Sequence, residues 1–457
     1  MRTYFAREAL LPDGWRRNLR LTVDAAGTIA AIEQRTPGDD AQMLAGPLLP
    51  GIGNLHSHAF QRAMAGLTET RTDHDDDFWS WRELMYQFVS RLTPEQAFTI
   101  ARHLYIEMLK RGYTAVAEFH YLHNQPDGAP CAPPAEFALR HLEAARAAGI
   151  AITLLPSLYM QANFGGSALQ PRQQRFRTDP AAILRIAEAV QRAGQGDKEL
   201  VVGVAPHSLR AVDPAALAEL VAGARSLGAR TPVHIHAAEQ TREVDDCLAW
   251  SRKRPVEWLL ENTRVDAGWC VVHATHITTA ETRALAASGA VVGLCPSTEG
   301  NLGDGIFPLL EYRAAGGHFG IGGDSHVSRD PVEELRLLEY VQRLVRRRRN
   351  LNVSKLSPSV GTTLWLEAAA GGAQALGRAA GRLAPGARAD FVVLDGSHPD
   401  LAARSGDAIT NALVFSGTSD LVRDVAVAGR WVVSDRRHDA EEEAASAYAR
   451  TLRVLRA

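Results

Sequence analysis

The sequence predicts an α/β protein in which strands alternate with helices over about 300 residues, as in a parallel sheet or a (β/α)8 TIM-like barrel, with strand-rich segments at both ends. Three observations carry this. Short apolar runs recur between helical stretches at Ile150 to Leu155, Leu200 to Ala205, Thr231 to His236, Trp269 to His273, Gly289 to Leu294 and His318 to Gly322. The two ends of the chain carry short strand-like runs instead, bounded by Gly, Pro and Asp. The length, 457 residues, suits one large domain with a satellite.

At the N-terminal end Leu19, Leu21 and Val23 alternate with polar residues, Ala25-Ala26-Gly27 supplies a turn, and Ile29 to Ile32 resumes the strand. At the C-terminal end the strand-like runs are Ala389 to Leu394 and Val425 to Val433. Two charge runs have plain readings. Asp73 to Asp77 reads as a solvated acidic loop, and Arg346 to Arg349 caps a helix whose apolar face carries Leu335, Leu338, Val341 and Val345.

Hydrophobic residues make up 46% and charged residues 22%, with a net charge of -2, which excludes a disordered chain and argues against nucleic acid as a partner. Cys131, Cys247, Cys270 and Cys295 are widely spaced, so neither a disulfide framework nor a thiolate zinc site is expected. No apolar stretch approaches the roughly 18 residues of a membrane span. Charges occupy the place of a signal-peptide core, so no membrane partner and a cytoplasmic location are expected.

The residues that carry chemistry fall at the ends of the apolar runs. His56 and His58 follow Leu48 to Ile52, and two residues apart on a strand they face the same way. His236 closes the run from Val233, with Glu239 in the loop beyond it, whereas His234 reads as a packing or orienting residue. His273 ends Cys270-Val271-Val272, and Asp324 follows Gly320-Ile321-Gly322-Gly323. Imidazoles and a carboxylate gathered at strand ends suit a metal centre with general acid/base catalysis beside it.

These motifs resemble the amidohydrolase superfamily, specifically its mononuclear deaminase branch, over essentially the whole chain. Gly381 to Leu394 looks like the family's return into its small β-domain. The resemblance implies a (β/α)8 barrel at 50–380. It also implies a small β-sandwich domain assembled from 1–49 and from 381–457, the latter with a terminal helix. It further implies that His56, His58, His236 and Asp324 bind one divalent metal per subunit, zinc first, although the same donors accept iron(II). Asp324 and His273 would orient and deprotonate the attacking water, and Glu239 would shuttle protons. Lys110, Lys198, Lys253 and Lys355 do not end strand-like runs, so a bridging lysine for a second metal is not expected.

Gln61, Arg82, Tyr121, His207 and Arg210 also lie near predicted strand ends, and two guanidiniums with a phenol and an imidazole suit carboxylates. The segments HSHAFQRAMAG, APHSLRA and STEGNLGDG resemble one member of the branch more closely. That resemblance implies that these five residues contact a small dicarboxylate substrate, from which a linear amidine nitrogen is released as ammonia. Relatives imply a homodimer. Two other readings are a deaminase of a purine or other heterocycle on the same zinc site, and a non-catalytic barrel scaffold.

Overall fold

The computed structural model describes residues 1–35, 40–71, 76–228 and 230–456. Asp73, His74 and Asp75 of the acidic run lie outside the described residues. Asp77 serves the fold, because its side chain accepts from the Trp79 and Ser80 amides and caps the helix Phe78–Val89.

Eight parallel strands form the barrel. They are β1 (Ile52–Ser57), β2 (Tyr113–His120), β3 (Ala151–Leu158), β4 (Leu200–Val202, continued at Ala205–Pro206), β5 (Val233–Ala237), β6 (Trp269–His273), β7 (Val291–Leu294) and β8 (His318–Ile321). β1 to β4 pair as one sheet and β5 to β8 as another. Bridges Val204 to Val233 and Ser208 to His236 join the halves on one side, and Ser57 to Asp324 joins them on the other. Every strand is buried on both faces except at its ends, which is why most read as continuous apolar runs.

Helices follow the strands around the outside. Three of them begin with the same local device, an aspartate that caps the first turn followed by a proline with preset φ: Asp179-Pro180, Asp213-Pro214 and Asp330-Pro331. The last of these, Pro331–Arg346, buries Leu335 and Leu338, but Val345 is 57% exposed, because the final turn extends beyond the packed face. The basic run closes that helix as expected, with Arg347 in the left-handed region at φ 53°.

The strands at the two chain ends pair into one eight-stranded sheet, whose spatial order is Arg430–Val433, Val422–Val427, Phe391–Leu394, Leu48–Pro50, Arg2–Leu11, Gly14–Val23 and Ile29–Gln34, with Gln42–Met43 on Arg2–Leu11. The sheet curls back on itself, since Thr28 bridges to Arg388. It encloses a second core in which the Tyr4, Phe391 and Trp431 rings meet edge-on at 5.4–5.5 Å. The terminal helix Glu441–Arg456 lies against the barrel helix Pro94–Leu109, where Tyr448 stacks on His103 at 4.4 Å and Glu441 pairs with Lys110 at 2.7 Å. All four cysteines are buried and free, and among the described residues no helix is long and apolar enough to cross a membrane.

Candidate active site

The strand ends deliver the expected side chains to one place. β1 supplies His56 and, one residue past its end, His58; β5 supplies His236; Asp324 follows β8. The backbone there is unusual. Ala238, His273, Ala274, Asp324 and His326 all have φ between 47° and 66°, a region that residues bearing a Cβ adopt at a cost of about 1–3 kcal/mol each. These strained residues gather at the ends of β5, β6 and β8, around the barrel mouth.

His56, His58, His236 and Asp324 are buried, and their ligand atoms lie within 4.8 Å of one another. His56 Nε2 is 3.0 Å from His236 Nε2 and 3.3 Å from Asp324 Oδ1, while His58 Nε2 is 3.4 Å from His236 Nε2 and 3.3 Å from Asp324 Oδ1. Donors bonded to one ion at about 2.0–2.2 Å lie about 3.0–3.4 Å from their neighbours, as these four spacings do, so the set fits a divalent metal such as zinc. Hydrogen bonding supports the same reading. His58 Nδ1 donates to Phe119 O at 2.6 Å and His236 Nδ1 donates to His207 O at 2.9 Å. A carbonyl can only accept, so both protons sit on Nδ1 and both Nε2 lone pairs face the centre. Burial holds all three imidazoles below the usual histidine range, the neutral form a metal requires.

Beside the cluster stands a group of opposite electrostatic character. His273 Nδ1 donates to Glu299 Oε1 at 3.3 Å, while its Nε2 lies 3.7 Å from Glu239 Oε1 and 3.9 Å from Asp324 Oδ2. Burial alone would lower its pKa, but these three carboxylates raise it to about 10, which favours the protonated form. Glu239 is raised above the ordinary carboxylate range by burial, against the pull of His273 and Arg210. Glu243 holds the turn that presents it, accepting from the Ala238 and Glu239 amides at 3.2 and 3.0 Å.

Gln61, Arg82, Tyr121, His207 and Arg210 line one pocket together with His58, His236, Glu239 and Asp324, and His56 and His273 lie buried behind them. Gln61 Nε2 donates to Tyr121 Oη at 2.7 Å and its Oε1 has no partner. Arg82, on the helix Phe78–Val89, lies over Trp79 at 4.5 Å; Arg210, beyond β4, approaches the same ring at 5.9 Å. The Nε of each is buried without a hydrogen-bond partner. Burial and the neighbouring Arg210 keep His207 neutral.

The sequence reading missed Glu243, Glu299 and Asp304, which surround Glu239 and His273, and Tyr86, Tyr159 and Phe176, which complete the pocket wall. Glu299 and Asp304 fall inside the 295–305 segment, so that segment was the available signal. His234 does pack and orient as expected: its Nε2 donates to Ala375 O at 2.8 Å, away from the pocket. Lys110 pairs with Glu441 and Lys253 with Glu261, and no lysine lines the pocket among the described residues.

An eight-stranded parallel barrel with three histidines and an aspartate at the C-terminal ends of its strands is the architecture of a metal-dependent hydrolase. The model of the Amidohydrolase family matches residues 48–432, and the chain belongs to that family. A second model, described as formimidoylglutamate deiminase HutF, N-terminal domain, matches residues 1–42. The chain is 54% identical over 459 residues to a formimidoylglutamate deiminase of Pseudomonas aeruginosa, covering 100% of both chains. It is 30% identical to a 5-methylthioadenosine/S-adenosylhomocysteine deaminase of Natronomonas pharaonis, over 94% of this chain and 91% of that one. Among solved structures, an amidohydrolase from Brucella melitensis superposes with a TM-score of 0.94 at 46% identity, with 100% of both chains covered.

Proposed function

We propose that the chain hydrolyses N-formimidoyl-L-glutamate to N-formyl-L-glutamate and ammonia, a step of histidine degradation. Full-length identity of 54% to a formimidoylglutamate deiminase carries this reading. The pocket supports it chemically, with a hydrolytic apparatus on its floor and two arginines on its wall.

In this reading His56, His58, His236 and Asp324 hold one divalent ion, zinc or iron(II). Such an ion supplies Lewis acidity that makes water a nucleophile near neutral pH. Asp324 uses Oδ1 toward the imidazoles, which leaves Oδ2 to accept a hydrogen bond from the attacking water. Glu239 takes a proton from that water and returns it to the terminal imino nitrogen; its raised pKa suits both transfers. Cationic His273 donates from Nε2 to the oxygen as it gains bonding to the formimidoyl carbon. The hydroxyl then gives up its remaining proton, which Glu239 passes to the same nitrogen; the terminal C–N bond breaks, that nitrogen leaves as ammonia, and the new C=O stays on the glutamyl nitrogen. Arg82 and Arg210 hold the two carboxylates, and Gln61, Tyr121 and His207 contact the remainder, so binding energy far from the reacting carbon fixes its position.

The test is ammonia release by the purified, zinc-loaded protein with N-formimidoyl-L-glutamate, beside guanine and adenosine. Rapid release from the first alone is expected. Release from a heterocycle alone would overturn the reading of Arg82 and Arg210.

A further inference from the structure

We infer that Glu118, Ser57 and His326 form a positioning clasp that sets the spacing of the metal ligands across the seam where the barrel closes. The inference rests on the metal reading above. Two ligands, His56 and His58, lie on one side of that seam and Asp324 on the other. Near the ligands the backbone bonds across it are few: Asp324 N to His56 O at 2.9 Å, Gly323 N to the same carbonyl at 3.1 Å, and His58 N to Asp324 O at 3.0 Å.

Ser57 stands between the two histidines and, by the alternation of a strand, turns its side chain away from the ligand face. Its Oγ lies 2.6 Å from Glu118 Oε2 and 2.7 Å from His326 Nε2. Ser57, Glu118 and His326 are each 0% exposed. The hydroxyl has one proton. Given to the carboxylate, it leaves His326 Nε2–H to donate to Ser57, so a single direction runs from His326 through Ser57 to Glu118. Glu118 Oε1 also accepts from Ala59 N at 2.8 Å, the amide next to His58, and Tyr105 Oη donates to Oε2 at 3.0 Å.

The chain of bonds therefore joins β2, β1 and the residue two beyond Asp324, directly behind three of the four ligands. A shift of about 0.5 Å in any of these strands would spoil the ligand spacing. A buried carboxylate is costly unless donors converge on it, as they do on Glu118. None of the three residues lines the pocket, so their effect on the reaction passes through the ligands.

Zinc affinity of the full-length protein, measured by competition with a chromophoric chelator, tests this, together with the visible spectrum of the cobalt(II)-substituted form. Ser57→Ala and Glu118→Gln should each weaken zinc binding by about 10- to 100-fold and alter the cobalt spectrum. Tyr105→Phe removes a bond from the helix Pro94–Leu109 to the same carboxylate but leaves the links from His326 through Ser57 to Glu118 in place, and should keep zinc affinity within about threefold. Unchanged affinity and spectrum in folded Ser57→Ala would overturn the clasp even if Glu118→Gln failed to fold. So would an equal loss in Tyr105→Phe. A parent protein that binds no divalent metal would overturn the site reading itself, an outcome distinct from a parent that binds normally with unaffected variants.

Discussion

Where the barrel meets the sheet of the chain ends, Arg378 reaches Glu199 at 2.8 Å, Arg388 reaches the same carboxylate, and Asp390 accepts the Ala428 amide at 2.7 Å. At the barrel mouth, Arg82 has no carboxylate partner among the described residues, and Arg210 stands 3.7 and 3.8 Å from Glu239 and Glu243. Three imidazole Nε2 atoms converge on a common point there, two of them with lone pairs fixed by Nδ1–H donors, and Gln61 Oε1 is unpaired. Both regions bury charge at the ends of strands. In the first, each arginine meets a carboxylate of the chain, although Arg378 Nε, Arg388 Nε and Asp390 Oδ2 make no hydrogen bond; in the second, Arg82 meets none among the described residues and four potential metal donors converge. A buried cation with no counter-ion among the described residues, beside donors that converge on one point, marks a region suited to ligands rather than to stability alone.

The sharpest way to break that distinction is His236→Ala. It removes one corner of the cluster and should abolish stoichiometric metal, with ammonia release falling by about 10^4-fold or more, since the Lewis acidity that activates water is lost. Melting in the presence of chelator should barely change. Metal content and activity are the measurements; activity within tenfold of the parent in a metal-free variant would break the assignment.

Arg82→Met probes the anionic side. Losing hydrogen bonds to a charged group costs about 1.5–3 kcal/mol, so kcat/KM should fall about 10- to 100-fold with normal metal content. The penalty should vanish with an analogue that lacks the carboxylate Arg82 holds. An unchanged kcat/KM would remove Arg82 from the pocket's function. Arg210→Met is expected to lower kcat/KM too, but it also strips the buried carboxylates of Glu239 and Glu243 of their cation.

The same contrast explains what could be read from the sequence. The His/His/His/Asp cluster was legible because its members end apolar runs, and a strand's period of two puts His56 and His58 on one face. β2 did not stand out, since Thr114, Glu118 and His120 interrupt its apolar pattern; all three are buried, and Glu118 serves the polar cluster behind β1. Glu243, Glu299 and Asp304 lie on or next to helices, where a carboxylate ordinarily faces water. Only the packing of those segments over the mouth buries them. Val345 failed in the opposite sense, an apolar residue at helical spacing on a turn with nothing to cover it.

Asp395, just past the strand Phe391–Leu394, gives the smallest effect and the control for the comparison. It accepts from the Ser397 hydroxyl at 2.6 Å and from the Ser397 amide at 3.0 Å, and it pairs with Arg436. The Ser397 hydroxyl, opposed by burial and helped by Arg436 and the Ser397 amide, holds its pKa down to about 2. The folded value lies below the unfolded one, so the stabilisation is complete above about pH 4 and is lost as pH falls toward 2. Arg436 is 39% exposed, and water screening limits the pair to about 1 kcal/mol or less. Asp395→Asn should therefore lower Tm by about 1–2 °C at pH 7, with the gap narrowing below pH 4. Its kcat/KM should match the parent's, because every bond that Asp395 makes ends inside the small domain. A variant that kept its Tm but lost activity would show the sheet communicating with the mouth and would erase the distinction between the two regions.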